Sequence, residues 1–368
     1  AEPLICLNAG NGTPKEASEW VSYCNSKAST EMGKLRAKNG HPEPYNVKYF
    51  EIGNELWGEW QIGYCTPEEY AERYEAFRKE ILKVHKNVLL IANGQDLIWN
   101  KPIVERKGHI IRSLSLHSLI GWGIKEDVDQ SEVFKGLMGY TAYYDRELSD
   151  LKKQAEKTVK NVKIAITELT IFTQSRKLPD DTTLSEALFL AGMIHSAVRQ
   201  GRLVELITHS ALVNHGGGLK KEKEVVYADP VHWVSHLYGN LPSAYPVETK
   251  VTYKTFDVNI SGLPPVKDAP TIDTLSILSK DGKELIILII CRDPEKEVKI
   301  NIKLKEFLPL PYGEIETIRG QSFMSKNYWN KEEIKLETSK ININKSEFEL
   351  IINPHSVTAL FLRRSTRF

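Results

Sequence analysis

The chain has 368 residues, 41% of them hydrophobic and 26% charged, with a formal net charge of +1. That is ordinary globular composition, long enough for one large domain and a smaller one. Acidic and basic residues are interspersed without a basic block, which argues against a nucleic-acid partner. The longest apolar runs, such as Leu285–Ile290, are strand-sized, far short of the roughly 20 residues of a membrane helix, so no membrane partner is expected.

The cysteines, Cys6, Cys24, Cys65 and Cys291, form no C-x-x-C pair and lie in no ligand spacing with a histidine. Cys6 and Cys291 sit in apolar runs and read as buried free thiols. This usage favours a reducing compartment and so the cytoplasm. No signal-peptide pattern is visible.

In chain order, Leu4–Leu7 is a short apolar run ending in Asn8-Ala9-Gly10-Asn11-Gly12. Thr13-Pro14-Lys15-Glu16 then opens a helix by a capping box with proline at its first position, running to about Asn25. Residues 47–52 form a strand ending in Gly53-Asn54-Glu55. Thr66-Pro67-Glu68-Glu69 repeats the helix-start chemistry, with Tyr70, Tyr74, Phe77 and Ile81 at helical spacing. Strands follow at 88–92, at 114–117 ending in His117, and at 163–167 ending in Glu168. A long amphipathic helix at 135–159, a helix at 184–199 and a sixth strand within 203–213 complete the alternation. The pattern implies a parallel sheet flanked by helices, with active residues at the C-terminal strand ends. After about Tyr245 the sequence turns to short strands at 251–260, 271–278, 284–291, 297–304, 314–319, 348–352 and 357–363, an antiparallel β-sandwich. The expected domains are therefore 1–245 and 246–368.

Two carboxylates at the ends of parallel strands are the minimum for glycoside hydrolysis: one protonates the leaving oxygen, the other attacks the anomeric carbon or activates water. Glu168 taken alone fits a solvated charge after a buried strand equally well. Glu55 has the more suggestive surroundings, because Asn54 offers a donor and an acceptor and Trp57 and Trp60 offer faces for sugar rings. The tryptophans fit packing under a loop as well, and His117 fits a satisfied, partly buried histidine.

The segment Tyr49-Phe50-Glu51-Ile52-Gly53-Asn54-Glu55-Leu56-Trp57-Gly58 resembles the acid/base segment of the α-L-arabinofuranosidases of glycoside hydrolase family 51. The likeness extends to Glu2–Ile5 with Gly10–Pro14, to Trp20–Asn25 and Asn39–Tyr45, to Thr167-Glu168 at the nucleophile strand, and to Ala211–Asn214 at the last barrel strand. It implies a (β/α)8-type TIM barrel followed by a jelly-roll-like all-β sandwich, and an exo-acting retaining enzyme that releases arabinose from arabinoxylan, arabinan or their oligosaccharides. Glu55 would be acid/base and Glu168 nucleophile, about 5–5.5 Å apart. A charged Glu168 nearby would raise the pKa of Glu55. The resemblance puts Asn54 on the sugar 2-hydroxyl and His117 beside the two carboxylates; Trp57, Trp122, Asn214 and His215 are the other candidates for substrate contact, with a plain turn the alternative at His215. No metal or organic cofactor is implied, and self-association is.

The sequence departs from the family in three places. Leu119 stands where a tyrosine is usual two residues past His117, and Tyr140 or Tyr143 could replace that hydroxyl or simply pack. His215-Gly216-Gly217-Gly218 stands where a substrate-touching glutamine is frequent. About six of the eight barrel strands are recognisable, with the first two expected to be missing at the N-terminus and a second chain one possible source of them. An endo-β-1,4-glucanase or xylanase on the same scaffold, and a non-catalytic carbohydrate-binding subunit or inactive fragment, stay open as alternatives.

Overall fold

The computed structural model describes residues 2–210, 213–214, 216, 218–343 and 345–365. Six strands, β1 (Leu4–Leu7), β2 (Tyr49–Ile52), β3 (Leu89–Ala92), β4 (Ser113–Ile120), β5 (Lys163–Ile171) and β6 (Val204–Ile207), form one parallel sheet in sequence order. Helices α1 (Pro14–Asn25) and α2 (Glu31–Lys38) follow β1, α3 (Pro67–Val84) follows β2, and α4 (Leu97–Lys107) follows β3. After these come α5 (Gln130–Ala155) behind β4 and α6 (Leu184–Arg199) behind β5. Strand, helix, neighbouring parallel strand is the repeat of a (β/α)8 barrel, present here as six strands.

Both expected capping boxes form, Thr13 with Glu16 and Thr66 with Glu69, each ahead of a proline in the first turn. The apolar face of α3 buries Tyr70, Tyr74, Phe77 and Ile81, and α3 packs between α1 and α4. Two helices of the barrel part, α2 and α4, were not foreseen. The buried residues of α2 are Gly33 and Arg36, which make no apolar stripe. In α4, Pro102 lies inside the helix and masks it in sequence. Cys24, Cys65 and Cys291 are buried, but Cys6 is exposed. Its strand β1 lies at the edge of the sheet among the described residues, which corrects the buried-thiol expectation there.

By compactness the chain divides into two units. The first holds the stretch ending at His117, Glu147–Thr167 and Arg202–Ile207; the second holds Ser118–Arg146, Glu168–Gly201 and the chain from Thr208 onward. Strands β4 and β5 and helix α5 each run from one into the other.

The second unit continues with the hairpin β7 (Leu219–Glu222) and β8 (Val225–Ala228), then α7 (Pro230–Gly239) and β9 (Ala244–Val247). Strands β10 (Thr255–Val258) and β11 (Val266–Pro270) pair with each other. They are followed by β12 (Ile272–Ser279), β13 (Glu284–Cys291), β14 (Val298–Lys303), β15 (Pro309–Ile318), β16 (Leu336–Asn342), β17 (Glu347–Ile352) and β18 (Ser356–Arg364). A six-stranded sheet in the order β16-β15-β18-β13-β12-β9 is covered on one face by the antiparallel pair β14–β17, sealing Leu285, Ile287, Ile289, Leu360 and Leu362 against Ile300, Ile302, Leu350 and Ile352. Helix α6 packs against β12, β13 and β18. A strand covered on both faces needs apolar side chains at every position, which explains the unbroken run Leu285–Ile290.

Where α5, α6 and α7 meet this sheet, a buried ionic cluster forms. Arg292 pairs with Asp273 and donates to Thr141 Oγ1 at 2.8 Å, and Arg199 Nη1 reaches Asp273 Oδ1 at 2.7 Å. His195 lies between Asp273 Oδ1 at 3.2 Å and the Tyr238 hydroxyl at 2.7 Å. No helix among the described residues is long and apolar enough to cross a membrane.

Candidate active site

The chain leaves β2 through Gly53 at φ +86° and Glu55 at φ +49°. The left-handed region is natural for glycine and costs an L-residue roughly 1–3 kcal/mol, so it persists only where the surroundings enforce it. Here they do. Leu56 N–H donates to Asn93 Oδ1 at 2.8 Å, Gly58 N–H to Glu55 O at 2.8 Å, and Cys65 N–H to Leu56 O at 3.1 Å. Asn93, just past β3, is anchored in turn: its N–H donates to the Tyr70 hydroxyl, which donates to Ile52 O at 2.8 Å. Asn93 was not foreseen, although a polar residue closing the apolar run Leu89–Ala92 is a visible signal. The loops after β1 and β2 touch as glycines, and a Cβ on Gly63 would lie 2.4 Å from Gly10 Cα.

This backbone turns the Glu55 carboxyl into a buried position. His117 Nδ1 lies 2.8 Å from Oε1, and Trp60 Nε1–H donates to Oε2 at 3.0 Å. His117 Nε2 is 3.1 Å from Thr167 Oγ1, which reaches on to Glu51 Oε1 at 3.4 Å. A hydrogen-bonded series therefore runs Trp60, Glu55, His117, Thr167, Glu51 across β2, β4 and β5. An ionised carboxylate only accepts, so Nδ1 carries the proton when Glu55 is charged. Trp57 stands edge-on to Trp60 and to His117, with centroids 5.2 Å and 6.5 Å away.

Burial pushes the Glu55 pKa up, but hydrogen bonds from His117 and Trp60, the His117 charge and a bond from Gln61 outweigh it and hold the carboxyl below its ordinary value. This corrects the expectation of a raised pKa. Donors from His117, Trp60 and Gln61 close on the carboxylate, and they favour the charged form.

Glu168 is the residue after Thr167. It does not end its strand, nor does His117: β4 continues to Ile120 and β5 to Ile171. The extended tips are held by bonds beyond the expected strand ends. Phe172 N–H donates to Ile120 O at 2.6 Å and Ser210 N–H to Leu169 O at 3.1 Å. Glu186, fully buried on α6, accepts from Ile171 N–H at 2.7 Å, from Thr170 Oγ1 at 3.0 Å and from His209 Nε2 at 2.5 Å. Two of these bonds fix β5 directly after Glu168. Burial raises the Glu186 pKa, against the lowering effect of His209. Glu186 and His209 were missed because a glutamate inside a helical pattern reads as surface.

Asn54 is half-buried between Gly53 and Glu55. Trp122 is exposed and stacks on Phe172 at 5.2 Å. Asn214 is exposed, and its Oδ1 accepts from Lys221 N–H at 2.6 Å, fastening the loop before β7. His215 lies outside the described residues, as do Ala211 and Leu212. Tyr140 and Tyr143 form a tilted ring pair, Tyr140 another with Phe189, and Tyr143 packs against Val258 and Val266. The tyrosine that reaches β4 from α5 is Tyr144, whose hydroxyl accepts from Ser118 Oγ at 2.9 Å.

Two family models match the chain, the α-L-arabinofuranosidase 1 domain over residues 8–111 and the α-L-arabinofuranosidase C-terminal domain over residues 152–356. The chain belongs to the α-L-arabinofuranosidases of glycoside hydrolase family 51. It is 26% identical to the probable α-L-arabinofuranosidase C of Aspergillus clavatus, over 92% of this chain and 70% of that one. The intracellular exo-α-L-arabinofuranosidase of Bacteroides ovatus is likewise 26% identical, over 98% and 73%. The thermostable family 51 α-L-arabinofuranosidase of Thermotoga petrophila superposes with a TM-score of 0.86 at 29% identity, covering 98% of this chain and 76% of that one. The six parallel strands are thus an incomplete family 51 barrel, the β-rich part is its C-terminal domain, and the enzyme is a retaining arabinofuranosidase.

Proposed function

We propose that Glu55 is the general acid/base and Glu168 the nucleophile of an exo-acting enzyme that releases arabinose from the non-reducing ends of arabinoxylan and arabinan oligosaccharides. The observation that carries this reading is the buried Glu55 carboxylate, with one oxygen on His117 and the other on exposed Trp60, at the end of a series that reaches the residue before Glu168. Glu168 attacks the anomeric carbon while Glu55 gives its proton to the departing glycosidic oxygen. The aglycone leaves and arabinose stays as an ester on Glu168. Glu55, now a carboxylate, takes a proton from water as that water attacks the same carbon, and two inversions give net retention. Asn54 binds the sugar 2-hydroxyl, His117 orients Glu55, and Trp57 and Trp122 offer aromatic faces to neighbouring sugars.

Exo action and a place inside the cell are supported by the likeness to the intracellular exo-α-L-arabinofuranosidase of Bacteroides ovatus. Buried free cysteines agree with a reducing compartment. Two further strands, pairing with the edges at β1 and β6, would complete the barrel. The test is hydrolysis of 4-nitrophenyl α-L-arabinofuranoside by the chain and by Glu168→Ala. Release by the first and none by the second is the expected result. Equal release by both would remove Glu168 from the role.

A further inference from the structure

Resting on the assignment of Glu55 as the acid, the geometry points to a second role beside it. We propose that Trp60 gates Glu55: its indole N–H occupies the carboxylate oxygen that must reach the glycosidic oxygen, and entry of the leaving-group sugar displaces it.

The two oxygens of Glu55 differ in access. Oε1 faces His117, whose side chain is 2% exposed. Oε2 faces Trp60, which is 67% exposed. A glycosidic oxygen arriving from solvent therefore meets Oε2, and proton transfer needs it within about 2.6–3.2 Å of that atom. The indole nitrogen already sits there, at 3.0 Å. An indole N–H only donates. It rewards the charged carboxylate, whereas the first chemical step needs a protonated carboxyl with its O–H turned outward. The resting contact and the reactive state thus compete for one oxygen.

Trp60 is also held lightly enough to move. Its ring lies on the bare backbone of Gly58, where a Cβ would stand 2.5 Å from Cε2 and Cζ2, and edge-on to Trp57. The residue is otherwise largely exposed. The turn beneath it closes through Gln61 N–H to Gly58 O at 3.0 Å and does not involve the indole. Gly58 is therefore a second handle, because a methyl group there would evict the ring without removing it.

The ionisable groups bonded around Glu55 are His117 directly and Glu51 through Thr167, with Glu168 next along β5. None of these is altered by changing Trp60 or Gly58. The experiment follows hydrolysis of phenyl α-L-arabinofuranoside, whose leaving group needs a proton, against pH for the full chain, Trp60→Phe and Gly58→Ala. The basic limb of kcat/KM reports free Glu55, and the limb of kcat reports Glu55 with substrate bound. In both variants the kcat/KM limb should move up by about one pH unit, the size expected for losing one hydrogen bond to a carboxylate, while the kcat limb stays in place. Equal movement of both limbs would mean that Trp60 stays on Glu55 through catalysis, and movement of neither would mean that the bond is inconsequential; each overturns the gate. Unfolding midpoints of the two variants show that the fold survives, and Gly58→Ala, which keeps the indole, decides if Trp60→Phe misfolds. Glu55→Ala separates the two claims. If the basic limb survives in Glu55→Ala, the acid assignment itself fails; if it vanishes there but stays put in Trp60→Phe and Gly58→Ala, only the gate fails.

Discussion

At the scale of single residues, Glu55 is held from both ends. Its left-handed backbone is enforced by Asn93 and the turn at Gly58, and its side chain by His117 and Trp60. His117 both orients the carboxyl and keeps it charged. His117→Ala should therefore lower kcat/KM by about 10²-fold, the cost of a loosely placed catalytic group. Removing a donor that favours the carboxylate also raises the Glu55 pKa, so the basic limb of activity should move to higher pH. A pH profile of the variant checks both; a limb that stays in place would show that His117 does not set the charge of Glu55. The type of this residue was legible in the sequence, since Gly53-Asn54-Glu55 closes an apolar strand. Its pKa was not, because the deciding donors come from five and sixty-two positions along the chain.

At the scale of elements, local chemistry was readable and tertiary chemistry was not. Thr13 with Glu16 and Thr66 with Glu69 announce their helices because a capping box is complete within four residues. Strand ends at His117 and Glu168 were misjudged because polar residues there read as exits to solvent, whereas Ile120, Ser210 and Glu186 supply partners that carry both strands further. Helix α7 starts at Pro230 behind its N-cap Asp229, a readable start, yet it was missed, and the cap residue has a measurable consequence. Burial, against Lys220 and helped by Asp181 and Asp180, pushes the Asp229 carboxyl up to about 7. A carboxyl raised in the folded state binds its proton more tightly there than in the unfolded chain. Its contribution to stability therefore falls as pH rises from the ordinary carboxylate range through about 7, then levels. Asp229→Asn should flatten this decline and gain stability over the parent above that pH. Unfolding midpoints on either side of it check the prediction; parallel curves for the two proteins would contradict it.

At the scale of the whole molecule, alternation of strand and helix followed by strands alone was enough to read a parallel sheet flanked by helices and a β-sandwich, while the barrel came from the family resemblance. Each part is dictated by its own periodicity, and β13 shows how burial on two faces writes an unbroken apolar run. What the sequence could not display is the cross-linking of α5, α6 and α7 to the sheet through Asp273, Arg292, Arg199 and His195, four charged or polar residues that look like surface until they meet.

The central claim is that Glu55 and Glu168 divide the chemistry between them, and one measurement addresses both. Without its acid/base, the enzyme should still be glycosylated by an activated substrate such as 2,4-dinitrophenyl α-L-arabinofuranoside, and then stall because no base activates water. Glu55→Ala should therefore accumulate a species carrying one pentosyl group, located by peptide mass spectrometry on the fragment containing Glu168. A pentosyl group on any other residue, or loss of reaction with the activated substrate as complete as with an oligosaccharide, would contradict the assignment.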